Sequence, residues 1–148
     1  MTEQTPATPG LDEQICFALY NASRAITLRY RDLLTPLGIT YPQYLVLLVL
    51  WEGGEIGVSG LGARLQLDSG TLSPLLRRLE SAGLVTRTRS GHDERTVSVS
   101  LTARGRSLQG EAAHIPAQIC AATGLDRPDL QVLQQQIATL ADSVRANS

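Results

Sequence analysis

The 148-residue chain contains no lysine, since all 13 of its basic residues are arginine. This excludes P-loop phosphate binding, Schiff-base chemistry and Ser-x-x-Lys acylation, each of which needs an ε-amine. An excess of positive charge is missing as well. Thirteen arginines face 14 acidic residues, for a formal charge of −1 at pH 7, so no global field announces a nucleic-acid partner and any such signal must be local. The longest strictly apolar run, residues 45–51, ends at Glu52 and falls far short of the ~20 residues that span a bilayer. Residues 1–10 are polar and proline-bearing, without a basic n-region or an apolar h-region; they read as a flexible tail, and the protein is expected to be cytoplasmic. Cysteine is scarce: only Cys16 and Cys120 occur, and a reducing compartment argues against a permanent bridge between them. The two histidines, His92 and His114, have no cysteine or carboxylate at ligand spacing, so neither a metal nor any other cofactor is expected.

What is present is helical periodicity with one β interruption. From Leu11 to about Leu34 the apolar residues recur mostly at three- and four-residue steps, which predicts a first helix stopped by Thr35, Pro36 and Gly38. A second, apolar almost all round, starts near Pro42 and should lie buried until Glu52, Gly53 and Gly54. A short helix capped by Ser59 follows, then Asp68-Ser-Gly, then an amphipathic helix with Leu72, Leu75, Leu76 and Leu79 on one face and Gly83 placed for a left-handed end. Two short helices joined by a tight polar turn form a helix-turn-helix pattern. Residues 85–89 and 96–101 alternate as strands around the turn Ser-Gly-His-Asp-Glu-Arg, which predicts a hairpin. A helix capped by Thr102 and broken near Pro116 comes next. The last helix starts near Asp126 and carries a seam of Leu130, Leu133, Ile137, Leu140 and Val144.

A helix-turn-helix followed by a hairpin is a winged helix-turn-helix, and the charge distribution agrees. Residues 1–76 carry four arginines and seven acids, residues 77–106 seven arginines and three acids, and residues 107–148 two arginines and four acids. A basic block confined to one helix and a wing is the footprint of a DNA reader inside an acidic chain. The long flanking helices have apolar stripes that need a further surface, and the simplest is a second copy of the chain.

The order of elements, together with the segment LQLDSGTLSPLLRRLESAGLVTRTRSGHDERTVSVSLTARG, resembles the MarR family of dimeric transcription regulators. The expected class is therefore mainly α with a small β-hairpin: a winged helix-turn-helix flanked by N- and C-terminal dimerisation helices. The expected boundaries are a tail at 1–10 and a MarR-type domain at 11–148, with dimerisation helices at 11–40 and 102–148 around a DNA-binding core at 41–101. Within that family, Cys16, Tyr30, Tyr41 and LDSGTLSPLL resemble the organic hydroperoxide resistance regulators. The resemblance implies a non-enzymatic repressor, homodimeric on a pseudo-palindromic double-stranded operator, whose Cys16 is oxidised by organic hydroperoxide. Cys120 is similar to the second cysteine of the two-cysteine branch, which implies a disulfide to a resolving cysteine of the partner subunit.

A peroxide sensor needs a thiolate, since the anion attacks the O–O bond. Phenolic donors would stabilise it, yet Tyr30 lies 14 residues along the same helix from Cys16, or about 21 Å away. If the family's cysteine–tyrosine contact holds, Tyr30 and Tyr41 come from the other subunit. The alternatives are that Cys16 is a small buried hydrophobe, with a phenolic ligand as the trigger, and a thiol peroxidase, against which the basic wing argues. Tyr20 and Tyr44 read as core or pocket lining, and Trp51 as an ordinary core aromatic. For DNA, Ser69, Thr71 and Ser73 lie near the N-terminal end of the recognition helix. Pro74 either bends that helix or marks a start at Ser73. Arg77 is the major-groove candidate, while Arg78 and Arg64 either touch phosphate or pair with Asp68 or Glu80. Arg87 and Arg89 should face the DNA backbone. Arg95 matches the family's minor-groove arginine, and Asp93 its structural carboxylate.

Overall fold

A computed structural model describes residues 8–90 and 93–148, without the side chains of residues 90 and 93–95. The chain divides into two compact units, Arg31–Ile115 and the pair of segments Met1–Tyr30 with Pro116–Ser148.

In the unit Arg31–Ile115, helix α1 (Ile15–Leu34) ends in a 3-10 turn at Thr35–Leu37, closed by Gly38 in the left-handed region. Helix α2 (Tyr41–Gly53) begins with a reciprocal capping box: the Gln43 backbone N–H donates to the Thr40 hydroxyl, and the Thr40 N–H donates to the Gln43 side chain. Its residues Tyr44, Val46, Leu47, Val49 and Leu50 are buried, as the unbroken apolar sequence requires. A short strand β1 (Ile56–Gly57) leads into α3 (Val58–Leu65) and α4 (Ser69–Ser81), and then into the wing strands β2 (Val85–Ser90) and β3 (Asp93–Leu101). The sheet is antiparallel in the order β1-β3-β2, with Ile56 opposite Val99 and Val85 opposite Leu101. The expected hairpin thus has a third strand, which two residues between Glu55 and α3 were too short to announce as a period.

Two helix starts differ from expectation. Helix α3 has Gly57, not Ser59, at its N-cap, with no side-chain cap. Helix α4 starts at Ser69, neither at Thr71 nor at Ser73, because the Asp68 carboxylate accepts from the Thr71 backbone N–H at 2.7 Å. Pro74 lies inside α4. At the other end of α4, Gly83 takes the left-handed conformation while Leu84 N–H donates to Leu79 O, a Schellman-type stop. The buried core of this unit is mostly leucine: Leu34, Leu47, Leu50, Leu61, Leu72, Leu76, Leu79 and Leu108, closed by Val85, Val99 and Ile115. Trp51 is not a purely apolar core ring. It is half-buried, packs edge-on to Tyr44 and donates its indole N–H to Gly105 O at 2.9 Å. Gly105 lies in α5 (Ala103–Glu111), which Thr102 caps.

In the other unit, a 3-10 turn at Leu11–Glu13 precedes α1, so the helix expected from Leu11 starts at Ile15. Helix α6 (Ile115–Thr123) has Pro116 in its first turn and ends before Gly124, at φ +72°. Helix α7 (Arg127–Ala146) is capped by Asp126. Ile119 is the one buried large apolar residue of this unit among those described. No single helix is long and apolar enough to cross a membrane.

Candidate DNA interface and thiol site

Helix α4 turns Leu72, Leu75, Leu76 and Leu79 inward and leaves Ser69, Gly70, Thr71, Arg77 and Arg78 exposed. This outer face offers, in order, two hydroxyls and then two guanidiniums, a set that suits phosphate and base edges. Ser73 is half-buried, facing a cleft of about 800 Å³ whose walls include Gly62, Leu76, Arg87 and Val97. Among the described residues Arg77 and Arg78 have no carboxylate partner: Glu80 pairs with Arg87 (3.3 Å), and Arg64 pairs with Glu52 (3.2 Å) rather than with Asp68. Asp68 is held below the usual carboxylate range by the Thr71 N–H and hydroxyl, and Glu80 by the side chain and backbone N–H of Arg87.

Arg87 departs from expectation. Its side chain is only 29% exposed, and its guanidinium already pairs with Glu80. Arg89 is exposed. Asp93, Arg95 and His92 were assigned to the wing tip, but their side chains lie outside the described residues. The wing's other face pairs hydroxyls across the strands: Thr86 with Ser100 at 3.0 Å, and Thr88 with Ser98 at 3.1 Å. Ser98 also donates to Glu55 at 2.7 Å.

Cys16 is exposed on the first turn of α1. Tyr30 is half-buried on the same helix. Because α1 is unbroken between them, the two are about 21 Å apart along one axis and do not meet within one chain. Tyr41 is half-buried and Tyr44 buried on α2. Burial raises both phenol pKa values, and each phenol keeps its proton, as a donor, at neutral pH. Tyr20 is exposed in the single chain rather than core, with the Arg24 guanidinium 5.4 Å from its ring centre. Cys120 is half-buried on α6, and its thiol donates to Leu125 O at 3.7 Å. No cluster of three or more His, Cys, Asp or Glu fit for a metal occurs among the described residues.

The family described as Transcriptional regulator SarA/Rot matches residues 30–111, from the last residues of α1 to the end of α5. The chain is also 46% identical to the organic hydroperoxide resistance transcriptional regulator of Bacillus subtilis, over 90% of this chain and 91% of that one. The chain is a MarR/SarA-type winged-helix transcriptional regulator. A second relative, the HTH-type transcriptional regulator TtmR of Methylorubrum extorquens, is 46% identical over 94% of this chain and 71% of its own length. The solved structure of reduced AbfR bound to DNA superposes with a TM-score of 0.76 at 34% identity, covering 90% of this chain and 93% of that one. These relatives are regulators, not enzymes, which leaves the thiol-peroxidase alternative without support. For this regulator, sequence reasoning missed Asp68 as the cap of α4 and Glu80 as the partner of Arg87. An Asp before Ser-Gly-Thr is a helix-start signal; Pro74 masked it.

Proposed function

We propose that the protein is a homodimeric repressor that releases its operator when an organic hydroperoxide oxidises Cys16. The observation that carries this reading is the exposed thiol on the first turn of α1, in a chain 46% identical to an organic hydroperoxide resistance regulator. The Cys16 thiolate attacks the hydroperoxide O–O bond; with one proton taken up, the sulfur becomes a sulfenic acid and the peroxide leaves as the alcohol. Condensation with the Cys120 thiol of the partner subunit then forms a disulfide and releases water. The reduced dimer holds the operator with Ser69, Thr71, Ser73, Arg77 and Arg78 at the major groove and Arg95 at the minor groove, where Asp93 steadies the wing. AbfR was solved on DNA in a reduced form and also in an overoxidized form, so a reduced relative binds DNA, and release in this reading belongs to the disulfide.

Dimerisation has its own support. Among the described residues, eleven of the twelve exposed large apolar side chains lie in the Met1–Tyr30 and Pro116–Ser148 segments, Leu48 being the exception. A twofold dimer implies a pseudo-palindromic operator, read in the cytoplasm beside the chromosome. Tyr30 and Tyr41 then serve as phenolic donors to the partner's Cys16. The 11–40 and 102–148 segments act as the dimerisation helices around the 41–101 reader.

The test is a gel shift on the DNA upstream of the protein's own gene, before and after stoichiometric cumene hydroperoxide and again after dithiothreitol. Release by peroxide that reverses with reductant and is lost in Cys16→Ser, with basal binding kept, is the expected result. Binding that ignores peroxide would make the cysteines structural and turn the search to aromatic ligands.

A further inference from the structure

The Glu80 carboxylate spans two elements: one oxygen accepts from the Arg87 backbone N–H at 3.2 Å, the other from the Arg87 guanidinium at 3.3 Å. Glu80 belongs to the last turn of α4, and Arg87 to the middle of β2. Strand β2 is an edge of the sheet, with β3 on its inner side only, so its outward N–H groups have no strand to bond. Glu80 takes one of them. We infer that Glu80 and Arg87 form a clamp that fixes the wing against the recognition helix, and that Arg87 serves DNA binding by positioning rather than by touching phosphate.

This rests on the DNA-reading function proposed above. Recognition helix and wing must reach adjacent grooves together, and a wing held at its working angle before binding loses less freedom on the operator. The other fastenings between the end of α4 and the wing lie at its base, where the Thr102 hydroxyl donates to Gly83 O and the Thr102 N–H to Leu84 O, while β1 and Glu55 hold β3, not β2, at Val99 and Ser98. The clamp engages β2 further out, at the residue paired with Val99. Because it occupies Arg87, the wing's exposed described guanidinium is that of Arg89.

Two mechanisms give opposite signs for the removal of Glu80. A carboxylate that merely keeps Arg87 off the DNA would, once removed, free a cation and tighten binding. A clamp, once removed, loosens the wing. The experiment measures operator and random-sequence DNA affinities of the reduced full-length protein from 50 to 300 mM salt. Wild type is compared with Glu80→Ala, Arg87→Met and the double variant, with circular dichroism as the folding control. Each single variant is expected to weaken operator binding about tenfold with the salt slope unchanged and random-sequence affinity nearly so, and the double variant to be no worse than either. Tighter binding by Glu80→Ala, or a slope lowered by about one unit in Arg87→Met, would overturn the clamp while leaving the DNA reading intact. Wild type that prefers no operator over random DNA would overturn the DNA reading instead. Should Arg87→Met fail to fold, Glu80→Gln decides the matter: it keeps an acceptor for the N–H but loses the charge, and is expected to fall between wild type and Glu80→Ala.

Discussion

At the scale of single residues, Gly105 is the position with least room for change. A Cβ there would lie 2.1 Å from the Leu84 carbonyl oxygen, and that oxygen already accepts the Thr102 N–H. Gly105 O in turn receives the Trp51 indole, and Gly105 N–H donates to the Thr102 hydroxyl at 3.0 Å. One small residue therefore joins α2, α5 and the entry to the wing. Gly105→Ala must push two backbones apart, and we expect it to cost about 3 kcal/mol or more, read as a lowered urea midpoint. Trp51→Phe, which removes one hydrogen bond and keeps the ring, is expected to cost about 1 kcal/mol. Equal effects of the two substitutions would show that the close approach is not rigid. The order L-T-x-x-G was legible in the sequence, but the reason for its glycine was not. That reason is a contact with a carbonyl 21 positions earlier, which no local pattern encodes.

At the scale of elements, helix ends decide the helix-turn-helix. Helix α3 ends at Gln66 in the left-handed region, φ +57° and ψ +43°, where a side chain is strained and glycine is not. Gln66→Gly is expected to raise stability by about 0.5–1 kcal/mol in chemical denaturation; a loss would mean that the glutamine makes a compensating contact in solution. Helix α4 carries carboxylates at both ends, Asp68 on the Thr71 N–H and Glu80 on Arg87. Both are depressed in the folded protein. Their contribution to stability is therefore complete above the ordinary carboxylate pKa, about 4, and is lost as pH falls through the lower folded values. Between pH 6 and pH 3 the wild type should lose more stability than Asp68→Asn/Glu80→Gln, and parallel curves would refute this assignment. The element order, the hairpin and the buried second helix were readable from period and composition. The start of α4 was not, because Pro74 suggests a beginning where Asp68 has already capped one four residues earlier. Nor was the role of Arg87, since residues 80 and 87 come together only through the turn at Gly83.

At the scale of the whole molecule, the unit Arg31–Ile115 holds nearly all of the buried core, while α7 has no buried residue and exposes Val132, Leu133, Ile137, Leu140 and Val144. A stripe of this kind, 20 residues long, matches a second copy of itself. Leu133→Arg with Ile137→Arg should halve the mass in sedimentation and abolish tight operator binding, with the Arg31–Ile115 core still folded. The proposed cysteine–tyrosine contact gives a sharper test of whether two copies share one sensor. Cys16 and Tyr30 sit on one straight helix about 21 Å apart, so any sensor containing both must draw them from different chains. Mixed dimers separate the arrangements. A heterodimer of a Cys16→Ser protomer with a Tyr30→Phe protomer retains one intact site if the pair forms between chains, because the remaining Cys16 faces the remaining Tyr30. A heterodimer of wild type with a Cys16→Ser/Tyr30→Phe protomer retains none, although one of its chains is untouched. Rapid sulfenic acid formation is therefore expected in the first heterodimer and slow formation in the second, by trapping with dimedone. The reverse order would mean that each chain senses peroxide alone and that Tyr30 acts through the fold of its own helix.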